Sequence, residues 1–176
     1  KVVAVTPGDQ ELRVLTRTAA AAHSRRFDTE YVWTMSGEAL HLRVSSVPVG
    51  DWDFVIPRLG LRMGVPLSWR ELTWYGLGPG ESYVDSHAAA RLGRWHATVS
   101  GLQTPYVRPQ ENGNRSQVRW CEVGDLRIDS SEPISVSLKP WTAERLATAA
   151  HPVDLHQDDW NWLNLDVAQH ALGSAA

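Results

Sequence analysis

The sequence predicts an all-β chain, an antiparallel sandwich of short strands with one or two short helices. Three observations predict it. Short segments of alternating apolar and polar residues recur along the chain, the period of a strand. Turn signals separate them every ten residues or so, among them Pro7-Gly8-Asp9, Ser36-Gly37 and Gly124-Asp125. No regular alternation of strand and helix occurs that would build a parallel sheet or a barrel.

Residues 1–7 read as a first strand. Residues 11–22 read as a second, because Val14, Thr16 and Thr18 favour extended backbone over the helix that Ala19–Ala22 alone would suggest. Tyr31, Trp33 and Met35 alternate with Val32 and Thr34. After the turn at Ser36-Gly37, a returning strand over residues 40–47 completes a hairpin. Residues 48–57 connect, carrying Asp51-Trp52-Asp53. Leu59, Leu61 and Met63 alternate with Arg58, Gly60 and Arg62, and residues 71–75 give another short strand. Residues 76–80 are a glycine-rich loop. Residues 86–92 suit a brief helix stopped by Gly93. A strand follows with Trp95, Ala97 and Val99 on one side.

Thr104 to Trp120 is the least ordinary stretch. Tyr106-Val107 reads as extended and is stopped by Pro109. Asn112-Gly113 suits a tight turn, since both residues tolerate positive φ. Ser116, Val118 and Trp120 then alternate with Gln117 and Arg119, a returning strand that runs on to Val123. Arg108, Glu111, Asn112, Asn114 and Arg115 crowd the turn with more hydrogen-bonding groups than a reversal needs. Residues 126–129 and 134–138 read as two more strands. Residues 142–150 form the clearest helix, with Thr142 as cap, Glu144 in the first turn and Leu146 inward. The last strand covers residues 161–167.

The chain has 176 residues, enough for one domain with its own core. It carries 17 basic and 20 acidic residues, which leaves no electrostatic footprint for nucleic acid or an anionic membrane. No apolar run approaches the ~20 residues that span a bilayer. The single cysteine, Cys121, cannot form an internal disulfide, which fits a reducing cytoplasm. The chain lacks an initiator Met, and its ends read as those of a piece of something longer.

Three blocks carry a resemblance. Thr104 to Trp120 (T-P-Y-V-R-P-Q-E-N-G-N-R-S-Q-V-R-W) is the first. Gly76-Leu77-Gly78-Pro79-Gly80-Glu81-Ser82-Tyr83-Val84-Asp85 with Ala89-Ala90-Arg91-Leu92-Gly93-Arg94-Trp95 is the second. Trp162-Leu163-Asn164-Leu165-Asp166 is the third. Together they resemble the small-chain domain, the last domain of the large β-galactosidases of glycoside hydrolase family 2. The similarity covers about residues 55 to 172. It implies a β-supersandwich similar to galactose mutarotases, with residues 1–176 a single, incomplete C-terminal domain.

The resemblance also implies where the chemistry lies. A retaining glycosidase needs two carboxylates about 5–5.5 Å apart. In the family both are glutamates on a β/α barrel, beside a Mg2+ site, with Na+ a further candidate ion there. Those positions have no counterpart in this sequence, so the chain alone is expected to be inactive and to need no cofactor. Its implied partners are the other domains of the parent enzyme, a galactoside substrate in the full enzyme, and further copies in a homo-oligomer.

The substrate-proximal candidates are Glu111, Asn112, Arg115, Arg119, Trp120 and Cys121. In some family members a loop of this domain offers a tryptophan to the sugar. Counted without gaps from Glu111-Asn112-Gly113, that position falls near Ile128, where residues 126–130 hold no aromatic. Trp120 or Cys121 is then the neighbouring substitute. Against this stands Trp120 as a core residue and the charged group as a buried network that fixes the turn. Glu81, Tyr83, Asp85 and Arg91 form a similar polar cluster. The alternative function is a stand-alone galactose-binding or mutarotase-like module, for which His96 with Glu111, or Trp52 between Asp51 and Asp53, would be the working groups.

Overall fold

The computed structural model describes residues 1–19, 24–53 and 55–169. As the alternation demands, the described chain is all-β and antiparallel. Its ten strands fall into two sheets. They belong to two units, Lys1–Val55 and the chain from Ile56 onward.

The first unit is a meander of β1 (Val2–Pro7), β2 (Glu11–Ala19), β3 (Arg26–Ser36) and β4 (Ala39–Val49), paired in that order. Residues 20–22 of the predicted second strand lie outside the described residues. Gly37 turns the β3–β4 hairpin with φ of 60°, as Ser36-Gly37 predicts. Period-two alternation divides the residues between two faces. One face carries charge: Arg17 meets Asp28 across the β2–β3 pair at 2.9 Å, and Arg13 meets Glu30 at 3.3 Å. The other is apolar, with Val5 against Val14, Val14 against Tyr31, and Tyr31 against Val44. Val5, Leu40 and Val44 on that side remain exposed.

The second unit is a six-stranded sheet in the order β5-β10-β9-β8-β6-β7. Its strands are β5 (Arg58–Val65), β6 (Glu71–Gly78), β7 (Arg91–Thr98), β8 (Arg115–Val123), β9 (Leu126–Lys139) and β10 (Asn161–Gln169). The core lies on one face of this sheet. Leu72 and Trp74 of β6, Val118, Cys121 and Val123 of β8, Val136 and Leu138 of β9, and Leu163 of β10 pack together there. Helix α1 (Val99–Leu102) closes over them with Val99 and Leu102. Helix α2 (Ala143–Thr148) starts at Thr142, whose side chain accepts from Arg145 N, and buries Leu146. No helix among the described residues is long and apolar enough to cross a membrane.

Five local expectations are corrected. Residues 76–78, expected in a glycine-rich loop, are the end of β6 and pair with β7. Residues 103–114 form an irregular loop rather than a strand and a turn. Pro105 and Pro109 bracket the extended pair and remove two donors that a ladder would need. Residues 86–90 make turns, not a helix, before β7. Val99 begins α1 instead of ending a strand, because the Thr98 hydroxyl accepts from Gly101 N and caps a helical turn. The strands expected at 126–129 and 134–138 are one strand, β9. Its pairing jumps from Trp120↔Asp129 to Val118↔Ile134, so residues 130–133 form a bulge within it.

Candidate functional site

The crowded turn builds a buried polar layer at one end of the second sheet. Asn112 is buried, and its side chain clasps the base of the 103–114 loop. Its Oδ1 accepts from Thr104 N at 3.1 Å, and its Nδ2 donates to Gln110 O at 2.9 Å. Gly113 takes φ of 72°, and a Cβ there would sit 2.8 Å from Leu102 O, so only glycine fits the corner. The Gly113 N–H donates to Glu81 Oε2 at 2.8 Å, and the Tyr106 hydroxyl donates to the other oxygen of the same carboxylate. Glu81 thus ties both arms of the loop to the segment after β6.

That segment is stitched on further. Ser82 N donates to Asn114 O at 2.9 Å, and Asn114 Nδ2 donates to Ser82 O at 2.7 Å. Ser116 N and the Ser116 hydroxyl both reach Ser82 Oγ at 2.9 Å. Arg115 is 3% exposed. Its Nε donates to Pro79 O at 3.0 Å, and its guanidinium lies 5.2 Å from the Trp74 ring. Burial pushes its pKa down to about 10, against the opposing pull of Glu81.

Glu111 anchors the loop to the sheet. Its carboxylate pairs with Lys139 Nζ and lies 3.7 Å from Arg58 Nη1. Arg58 in turn makes a two-pronged pair with Asp166, at 3.0 Å from Nε and 2.7 Å from Nη2. The Lys139, Asp166 and Glu111 side chains are 2%, 3% and 6% exposed. Burial lowers the Lys139 pKa despite Glu111 beside it. Burial likewise raises that of Asp166 against the pull of Arg58. Two cations and two carboxylates balance here. Each acid is committed to a counter-charge, an arrangement that fixes a loop rather than one that frees an acid to move protons.

The six sequence candidates therefore separate. Glu111, Asn112 and Arg115 share the buried layer. Arg119 is exposed on β8. Trp120 is only half-buried and is not part of the core, contrary to the core reading of its alternation. The β8–β9 register breaks between Val118 and Trp120, opposite the β9 bulge, and Val118 and Cys121 are the inward positions instead. Trp120 stacks on Tyr75 at 6.3 Å, with Arg127 and Arg94 4.6 and 5.7 Å from its ring. Arg127 is pinned there by Glu122 at 2.6 Å and Asp129 at 3.0 Å. Cys121 is 1% exposed, and burial pushes its thiol up to about 12. Ile128 packs against the core.

The groups nominated for a stand-alone module are engaged elsewhere. His96 Nδ1 contacts Thr73 Oγ1 at 3.1 Å, whereas Glu111 is bound to Lys139. Trp52 donates to Val49 O and packs on Phe27 at 4.7 Å. Of the second polar cluster, Glu81 and Tyr83 join the layer, while Asp85 and Arg91 are exposed. Sequence reasoning missed Arg58, Lys139 and Asp166. Their signal was a charge terminating or interrupting an apolar strand, as in Leu163-Asn164-Leu165-Asp166 and Ile134 through Lys139. Among the described residues, no group of three or more His, Cys, Asp or Glu is arranged to hold a metal ion.

A family model described as β-galactosidase small chain matches residues 2–176. The β-galactosidase of Arthrobacter sp. (strain B7) is 39% identical over 178 residues, 95% of this chain and 17% of that protein. That of Actinobacillus pleuropneumoniae is 35% identical over 119 residues, 68% of this chain and 12% of that protein. That of Vibrio vulnificus (strain YJ016) is 34% identical over 147 residues, 82% of this chain and 14% of that protein. The chain spans less than a fifth of these relatives. The match covers both sheets and the buried layer between the 79–86 segment and β8. On that evidence the chain belongs to the β-galactosidase small chain family.

Proposed function

We propose that the chain is the non-catalytic small-chain domain of a retaining β-galactosidase acting on terminal non-reducing β-D-galactosides, and that its 103–114 loop forms part of the wall of the sugar pocket. The observation that carries this reading is the construction of that loop. Glu81 and Glu111 fix its base, while Val107 at its tip is 90% exposed. A loop held rigid at its root and bare at its tip can meet a neighbouring domain without losing much entropy on contact. The apolar side of the β1–β4 meander supports the same reading, since Val5, Leu40 and Val44 offer surface that other domains of a larger enzyme would cover. That the relatives are β-galactosidases supports the reaction, and their much greater length leaves room for catalytic glutamates and a Mg2+ site outside these residues.

The test uses the full polypeptide that carries this chain. Val107→Asp should lower kcat/KM for o-nitrophenyl β-D-galactopyranoside by about tenfold, a loss of about 1.4 kcal/mol of transition-state stabilisation. Arg108→Ala should have a smaller effect in the same direction. The chain on its own should give no turnover. Unchanged kinetics in both variants would remove the wall, and turnover by the isolated chain in proportion to its concentration would remove the non-catalytic reading.

A further inference from the structure

Eight of the nine tryptophans are buried or half-buried; Trp160 is 49% exposed. It stands just before β10 and rests against Gly64 of β5. A Cβ on Gly64 would meet its Cγ at 3.2 Å and its Cδ2 at 3.4 Å. β5 is the edge strand of the six-stranded sheet. The indole is therefore backed by main chain, while half of its surface meets solvent. Gly64 lies opposite Trp162 in the β5–β10 pair. Two residues along the same strand, the Arg62 guanidinium lies 5.4 Å from the Trp162 ring and pairs with Glu144 at 2.7 Å.

The acidic pair before Trp160 divides its work. Asp158 is spent on structure, accepting from Trp162 Nε1 at 2.9 Å and pairing with Arg145 at 2.8 Å. Asp159 is exposed, and its side chain has no ion pair or hydrogen bond among the described residues. An uncommitted carboxylate therefore adjoins, in sequence, an indole with solvent-facing surface.

Two kinds of partner suit an exposed tryptophan. A protein contact surrounds its anchor with apolar groups that exclude water. Its neighbours are charged instead: Asp159 precedes it in the chain, and Arg62, two residues from Gly64 on the same face of β5, pairs with Glu144 of α2. A sugar ring wants that mixture. Its C–H face is apolar and stacks on an aromatic ring, while its hydroxyls seek carboxylate and guanidinium groups in a bidentate fashion.

We propose that Trp160, Asp159 and the Arg62–Glu144 pair form a shallow surface site for a neutral pyranoside. The indole takes the C–H face of the sugar, Asp159 accepts from its hydroxyls, and the ion pair lines the rim. The site needs no catalytic carboxylate, and it stands or falls independently of the loop's role as a pocket wall. A ligand of this size on one aromatic ring binds with a Kd on the order of 1 mM.

The experiment titrates the chain with methyl β-D-galactopyranoside, followed by saturation-transfer NMR and by tryptophan emission. Saturable binding is expected. Trp160→Ala should weaken it by about tenfold or more, Trp160→Phe should retain part of it, and Asp159→Asn should weaken it with Trp160 intact. Val2→Ala, at an exposed position of β1 in the first unit, should leave it unchanged. Far-UV circular dichroism should be the same for every variant, since Trp160 and Asp159 are exposed. No saturable binding up to about 100 mM, two decades above the expected Kd, would overturn the proposal. Binding that survives Trp160→Ala undiminished would do the same.

Discussion

Replacing Lys139 by methionine should unbalance the buried layer and loosen the loop it anchors. Lys139 is 2% exposed on its side chain, and its ammonium is the nearest cation to Glu111. Once it is gone, Glu111 keeps only Arg58 at 3.7 Å, and that guanidinium is already engaged by Asp166 at 2.7 Å. Glu111 is itself only 6% exposed, so water cannot replace the lost partner. Removing one member of a buried pair costs about 3–5 kcal/mol. With an m-value of about 2 kcal/mol/M in urea, the unfolding midpoint should fall by about 2 M. Glu111→Leu alone should cost a similar amount, because it strands Lys139. The double variant Lys139→Met/Glu111→Leu removes both charges and leaves Arg58 with Asp166. Its loss should fall short of the sum by about 2–3 kcal/mol. Urea titrations of the four proteins, read by tryptophan emission, close the cycle. Amide exchange of Gly113 should also quicken in the single variants. Additivity within about 0.5 kcal/mol would refute the argument that the pair is energetically coupled.

Two further outcomes are expected. Gly60→Ala should destabilise the second unit by about 3 kcal/mol or more, because a Cβ would run into Asp166 Oδ1 and the Leu165 carbonyl, and neighbouring main chain cannot step aside; a thermal melt within a degree of the parent would show that β5 has room. Cys121 should resist a thiol reagent at pH 8 in the native chain and yield one thiol in denaturant, because burial keeps it protonated until about 12. The raised value also fixes a sign. The unfolded chain, with its thiol at the ordinary value of 9.0, ionises first, so this group's stabilising contribution is complete below that pH and is lost as pH rises toward 12. A native thiol that reacts at the denatured rate, or stability that climbs through that alkaline window, would contradict this placement.

Local pattern made much of the fold legible. The β3–β4 hairpin could be read because Tyr31, Trp33 and Met35 alternate up to a glycine that takes positive φ. The cap of α2 could be read from Thr142, since one hydroxyl in the right position suffices. The 103–114 loop could not be read correctly. Its Asn112-Gly113 signal is real, but its main-chain and side-chain groups are satisfied by Glu81, Thr104 and Gln110 rather than by a facing strand. The place of Trp120 is hidden for a related reason: the alternation of β8 is broken where its register with β9 shifts, between Val118 and Trp120, and the inward positions are Val118 and Cys121.

The sequence by itself determined strand period, turn chemistry and the three blocks that mark the small-chain family, because each depends on residues close together in the chain. Only the tertiary structure decided which charges are buried together. Arg58 and Asp166 lie 108 residues apart in sequence, and Lys139 and Glu111 lie 28 apart. Their attraction means little in water and becomes strong once a sheet and a loop exclude solvent around them, and no local pattern records that exclusion.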